Sequence, residues 1–165
     1  MTETDSLPQA PQRVECPAAK DPAVRLFILA AMLVGFGVWC FIEGVVHKKY
    51  PYEAGDDINA LLNHVLNVYG GFVLVPLGLV AAVWGVVFLR RTLVADEAGI
   101  GYQGKEHVAW ERISKLDASR LKGKGLLELH YDDAKLTLDS WKLQNFQDLV
   151  RVVEANVPEE KRAGA

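Results

Sequence analysis

The run Val68-Tyr69-Gly70-Gly71-Phe72-Val73-Leu74-Val75-Pro76-Leu77-Gly78-Leu79-Val80-Ala81-Ala82-Val83-Trp84-Gly85-Val86-Val87-Phe88-Leu89 carries no charged side chain and is closed by Arg90-Arg91. Its length matches the roughly 20 apolar residues a helix needs to cross a hydrocarbon core about 30 Å thick. A similar uncharged run, Leu26 to Ile42, lies upstream and continues through Glu43 to Val46. A secretory signal has a shorter apolar core, roughly 7 to 15 residues, and a small-residue cleavage site. The first run is therefore expected to be a retained transmembrane helix at about 26–46, and the second a transmembrane helix at about 68–89. Two spans with a short connection make a membrane α-hairpin whose flanking segments lie on one side.

Positive charge beside the spans sets the orientation. Arg13, Lys20 and Arg25 precede the first span and Arg90 and Arg91 follow the second, whereas Lys48 and Lys49 in the connection are offset by Glu53, Asp56 and Asp57. This favours a multi-pass protein of the inner (cytoplasmic) membrane with both termini cytoplasmic.

Small residues predict how the hairpin closes. Ala30, Gly37 and Gly44 recur every seven positions, as do Gly71, Gly78 and Gly85. A seven-residue period keeps one seam toward a partner helix, and small residues allow close backbone approach in lipid. Antiparallel pairing is expected to set Gly44 against Gly71, Gly37 against Gly78 and Ala30 against Gly85. Pro76 lies inside the second span, where a kink is expected. Ile58, Leu61, Leu62, Val65 and Leu66 follow helical spacing. They predict a further helix at about 57–67, capped by Asp56 or Asp57, which lies along the interface or leads into the second span.

Glu43 is the ionisable residue inside an apolar run, which makes it a site hypothesis. With His47 one turn later, and with His64, it forms a possible polar membrane site for an ion, a proton or a partner's basic group. The simpler reading is a residue at the membrane boundary that reaches water or pairs with His47 or Lys48. No pair of histidines has an established ligand spacing, so neither a metal site nor a cofactor is expected.

Residues 1–24 are rich in Pro, Glu, Thr and Ala, and are expected to form a disordered cytoplasmic tail. Residues 159–165 are expected to form a second one. Half of the composition is hydrophobic, the formal net charge is −3, and the segment from Thr92 holds 13 acids against 11 Lys and Arg. A nucleic-acid footprint needs a basic surplus, so that class is discarded. Cys16 and Cys40 form no redox or metal motif and are expected to stay unpaired.

After Arg91 the pattern changes to short strands: Thr92 to Asp96, Ile100 to Gln103, His107 to Trp110, Lys115 to Arg120, Leu126 to Tyr131 and Lys135 to Asp139. Turn signals at Glu97-Ala98-Gly99, Gly104-Lys105, Lys122-Gly123-Lys124-Gly125 and Asp132-Asp133 separate them. Phe146, Leu149, Val150, Val153 and Val157 then mark an amphipathic helix from about Asn145 to Asn156, ended by Pro158. Trp110 and Trp141 are expected to pack in the core or along a hairpin.

The stretch Leu93-Val94-Ala95-Asp96-Glu97-Ala98-Gly99-Ile100, the Val108-Ala109-Trp110-Glu111-Arg112-Ile113 segment, the leucines of Gly125-Leu126-Leu127-Glu128-Leu129 and the Trp141 to Val153 region resemble a bacterial pleckstrin-homology-like (PH-like) domain. That family often shows an Asp-x-x-Gly-Ile turn and a strand ending in Trp-x-x-Ile. The resemblance covers about 92–158. It implies a small α+β domain, an antiparallel curved sheet or barrel closed by a C-terminal helix, with roles in interaction or scaffolding and no catalytic residues.

Nucleophile motifs are absent. Ser114, Ser119 and Ser140 lack the Gly-x-Ser-x-Gly setting, and no Gly-rich phosphate loop follows a strand. The expected function is a noncatalytic integral membrane protein whose cytoplasmic domain is a scaffold or accessory subunit, with a protein partner or a homo-oligomer. A second expectation is a module that responds to anionic membrane lipids through Arg90, Arg91, Arg120, Lys122 and Lys124. A third is a small transport or ion-handling component using Glu43, His47 and His64.

Overall fold

The structure, a computed structural model, describes residues 13–163. It contains two compact units. One is Pro22–Phe88, and the other joins the described residues up to Asp21 with those from Leu89 onward.

In the first unit, α1 (Lys20–Phe41, entering from the other unit) continues as a π-helical stretch, Ile42–Val46. α2 (Ile58–His64), a second π-helical stretch (Val65–Tyr69) and α3 (Gly70–Leu89) follow without a break. The helix expected at the interface therefore leads into the second span. Asp57 caps it by accepting from the Ala60 N–H at 2.8 Å, which satisfies one of the N–H groups a helix start leaves open. Among the described residues two helices are long and apolar enough to cross a membrane: Lys20–Val46 and Ile58–Leu89.

All six seam residues, Ala30, Gly37, Gly44, Gly71, Gly78 and Gly85, are buried. Their pairing differs from the expectation by about one helical turn. A Cβ on Gly71 would lie 2.7 Å from the Gly37 carbonyl oxygen and 2.8 Å from Phe41 Cβ, not against Gly44. One on Gly78 would meet Val34 at 2.7 Å and the Ala30 oxygen at 2.9 Å, and one on Gly85 would meet Phe27 at 3.0 Å. Gly44 instead abuts the main chain of Asn67. In this offset Gly71 and Gly78 receive main chain and side chains of the first helix, so the two backbones approach closely.

The second unit is built on two sheets. One has strand order β1-β2-β3 (Val14–Pro17, Thr92–Asp96, Gly99–Tyr102), and the other β6-β5-β4-β7 (Ala134–Asp139, Leu126–Tyr131, Ile113–Asp117, Arg162–Ala163). Neither is a closed barrel, which corrects the expected single curved sheet or barrel to a mix of helix and two small sheets. The one-turn α4 (Leu121–Lys124) replaces the expected turn before β5 and ends at Gly125, whose φ of +65° glycine adopts without a Cβ penalty. α5 (Phe146–Asn156) closes the unit through Leu149, Val152 and Val153. With Leu93, Ile100, Ile113, Leu116, Leu127, Leu129 and Leu138 these form one buried core; each such side chain contributes about 1.5–3 kcal/mol by leaving water.

Both segments expected to be disordered contribute strands. Val14 and Cys16 are buried while Glu15 is exposed, and β1 pairs antiparallel with β2 from Val14↔Ala95 to Pro17↔Thr92. At the other end β7 pairs parallel with β4. Arg162 Nε donates to the Val157 carbonyl at 2.9 Å and Nη2 to that of Glu154, which satisfies acceptors left open at the end of α5. Residues 1–12 and 164–165 of the two expected tails lie outside the described residues.

The expected strand at His107 to Trp110 reduces to a single bridge. Val108 and Ile100 exchange N–H···O bonds of 2.8 and 2.9 Å, and the chain then turns through a 3₁₀ segment, Trp110–Arg112. Trp110 is buried as expected, whereas Trp141 is 47% exposed, so it is not a core residue.

Candidate functional site

The four-stranded sheet ends at β6. In the β5–β6 ladder the partners run from Leu126↔Asp139 to Tyr131↔Ala134, and Ser140 N–H donates to the Gly125 carbonyl at 2.9 Å. Hydrogen-bonded pairs alternate along an antiparallel ladder, so Ala134, Leu136 and Leu138 turn their main-chain groups toward β5. The N–H and C=O groups of Lys135 and Thr137, and the N–H of Asp139, point away from the sheet. On this edge Lys135 and Thr137 are exposed, Leu136 and Asp139 are half-buried, and Leu138 is in the core.

Beside α5 runs a groove of about 390 Å³ lined by Leu121, Gly125, Ser140, Phe146, Val150 and Arg151, among others. Phe146 and Val150, expected on the apolar face of this helix, are half-buried against the core, while Leu149, Val152 and Val153 are fully buried.

The five cations proposed for lipid are all exposed. Arg120 is paired with Glu128 at 3.5 Å, and Glu128 also meets Lys135 at 3.4 Å. Among the described residues Arg90, Arg91, Lys122 and Lys124 have no ion pair. A small polar notch joins Arg120 and Glu128 to Asp117 and Ser119. Asp117 accepts from Ser119 Oγ at 2.6 Å and from the Ser119 N–H at 3.0 Å, and lies 3.2 Å from Lys115 Nζ. Ser119 and then Lys115 hold its carboxyl down at about 2.

At the end of the first span Glu43 contacts Lys49 Nζ at 2.8 Å and His47 Nδ1 at 3.4 Å. The basic partner is Lys49, not Lys48, because Lys48 adopts a left-handed φ of +48° and the Lys49 N–H returns to the Glu43 carbonyl at 3.0 Å. His64 is held elsewhere: its Nδ1 is 2.7 Å from the Tyr50 carbonyl, between the rings of Tyr52 and Tyr69. Among the described residues no group of three or more His, Cys, Asp or Glu is arranged to hold a metal ion. Cys16 and Cys40 are buried free thiols.

Sequence reasoning missed Lys49 and the Asp117–Ser119 pair. Asp-x-Ser was a signal for the latter, since an Asp side chain commonly bonds main chain two residues on. No family model, no curated protein and no solved structure matches the chain.

Proposed function

We propose that the protein is a noncatalytic membrane-anchored interaction module, a scaffold or accessory subunit of a membrane assembly, whose soluble PH-like unit docks another protein chain. The observation that carries this reading is the edge of β6, open among the described residues, where unpaired main-chain groups form a template for strand addition. The groove beside α5 is a second surface suited to a peptide.

Placement in a membrane is supported by the outward apolar surface of the hairpin, where Met32, Val83 and Trp84 are each more than 60% exposed. Such a surface is costly in water and natural in lipid. β1 supports the hairpin topology, because its pairing with β2 requires the segments flanking the two spans to lie on one side. By the positive-inside bias that side is the cytoplasm.

Mass spectrometry of the protein extracted from its native membrane in mild detergent tests the reading. A stoichiometric partner chain, foreign or identical, is the expected result. A lone monomer overturns it.

A lipid-responsive module is the second reading, favoured by the exposed and unpaired Lys122 and Lys124 on α4 together with Arg90 and Arg91. Each basic residue near an anionic surface contributes about 1 kcal/mol. Under this reading, Lys122→Glu with Lys124→Glu in the full chain lowers the anionic lipid retained in native mass spectra, and unchanged retention removes it.

A further inference from the structure

We infer that the open edge of β6 takes the β6 strand of a second copy of this chain, paired antiparallel about Thr137. The inference rests on the interaction-module reading above and names the partner. The outward main-chain groups belong to Lys135, Thr137 and Asp139, so only registers that set these positions against one another satisfy them. In the register centred on Thr137, Thr137 faces its own copy and the two exchange N–H···O bonds across the two-fold axis. Lys135 then faces Asp139 of the other strand twice, once on each side of the axis, with the Asp139 N–H donating to the Lys135 carbonyl. On the core side Leu136 is set opposite Leu138 of the copy, whose side chain stays in its own core.

Lys-Leu-Thr-Leu-Asp is thus complementary to its own reverse in charge, shape and hydrogen bonding. Other registers lose this match. Centring on Lys135 sets ammonium against ammonium, and centring on Asp139 sets carboxylate against carboxylate, both of which destabilise a pair. Centring on Leu136 or Leu138 leaves both Lys135 and Asp139 of each strand without an opposite charge.

Little is given up in re-pairing. The present Lys135–Glu128 contact involves a lysine side chain 57% exposed, and such surface pairs contribute little. Asp139 keeps Oδ1 on the Trp141 N–H at 3.0 Å and offers Oδ2, now 3.2 Å from Lys142. Charge on an edge strand normally discourages edge pairing; here its placement excludes every register but one.

The experiment uses the full chain in mild detergent or lipid nanodiscs. Particle mass is recorded across a dilution series, beside oxidative cross-linking of Thr137→Cys and Lys135→Cys. Opposed residues in a hydrogen-bonded antiparallel pair have Cα atoms about 5.5 Å apart, within the range a disulfide spans. A dimer that cross-links through Thr137→Cys and not through Lys135→Cys is the expected result. Lys135→Glu, on an exposed side chain, is expected to weaken the dimer about tenfold.

Equal cross-linking at both positions, or a dimer indifferent to Lys135→Glu, overturns the proposal. A monomer carrying a stoichiometric foreign chain overturns it while leaving the interaction-module reading intact. A monomer with no partner defeats both.

Discussion

The indole Nε1 of Trp110 donates to the main-chain carbonyl of Asp96 at 2.8 Å, joining the two halves of the Asp-x-x-Gly-Ile and Trp-x-x-Ile pattern. Asp96 Oδ1 accepts from the Ala98 and Gly99 N–H groups at 3.0 and 3.3 Å. Gly99, at φ +151°, passes so close to the Val108 carbonyl that a Cβ has no room. Ile100 and Ile113 enter the core. The motif is thus a local lock between one hairpin and the segment after it. Trp110→Phe keeps an aromatic ring, removes the donor and reduces the volume, and is expected to cost about 1–3 kcal/mol by orphaning a half-buried acceptor and leaving a gap in the core. Thermal unfolding followed by tryptophan fluorescence measures it; an unchanged transition would mean that the Asp96 carbonyl finds another donor.

The helix seam makes a graded prediction. Gly44→Ala and Gly71→Ala push a methyl group into opposing main chain, which cannot yield as a flexible side chain can, whereas Gly35 has nothing within 4 Å of its Cβ position. Overpacking typically costs about 1–3 kcal/mol. Both seam variants are expected to lose hairpin stability by that amount in a detergent unfolding titration, and Gly35→Ala to match the parent. Loss at Gly35 equal to that at Gly71 would count against close packing as the cause, since alanine at an open helical position favours the helix.

Much of this arrangement is readable from local pattern, and the failures have physical causes. The two long apolar helices, Thr92–Asp96 and Leu126–Tyr131 follow from runs and alternation that need no distant partner to interpret. The seam face was legible from a seven-residue period, but a period says which side of a helix is small and not how far the partner slides along it. β1 was missed because Val14-Glu15-Cys16-Pro17 alternates too briefly to signal a strand. Its stability comes from β2, which lies beyond both spans. β7 was missed for the same reason. Helical spacing marks the apolar face of α5 through Phe146 and Val150, which pack half-buried against the core, but it leaves out Val152, whose burial depends on what the helix packs against.

Asp117 gives a pH prediction. Its folded carboxyl is held at about 2, below the ordinary 3.8. A carboxylate with a depressed folded value adds stability that is fully present above about pH 3.8 and is lost as pH falls toward 2. Ser119→Ala removes the hydroxyl donor and is expected to raise the Asp117 titration toward 3.8, so that the stability lost in acid becomes smaller and its loss is complete at a higher pH. Carbon-detected NMR titration of the carboxyl reports this directly, and an unmoved midpoint would assign the depression to the Ser119 main-chain N–H and Lys115.

Cys16 reports on β1. Burial, and then the nearby Asp148 charge, push its thiol up to about 11, and the thiolate is the reactive form. Maleimide at pH 8 is expected to leave Cys16 unlabelled in the folded chain and to label it once Val14→Asp detaches the strand. Rapid labelling of the parent would show that β1 opens readily.

The pairing of β1 with β2 has a consequence for how the chain is made. The ribosome delivers Val14–Pro17 before either apolar helix, and their partner only after both. Until then, Cys16 and its neighbours have no sheet to join. In a membrane, a nascent chain that integrates one helix and drops the other strands β1 across the bilayer from β2 and leaves the soluble core without its first strand. Completion of that small sheet is thus coupled to faithful integration of the hairpin, so a misinserted copy emerges marked by an exposed β2 edge for quality-control proteases to find.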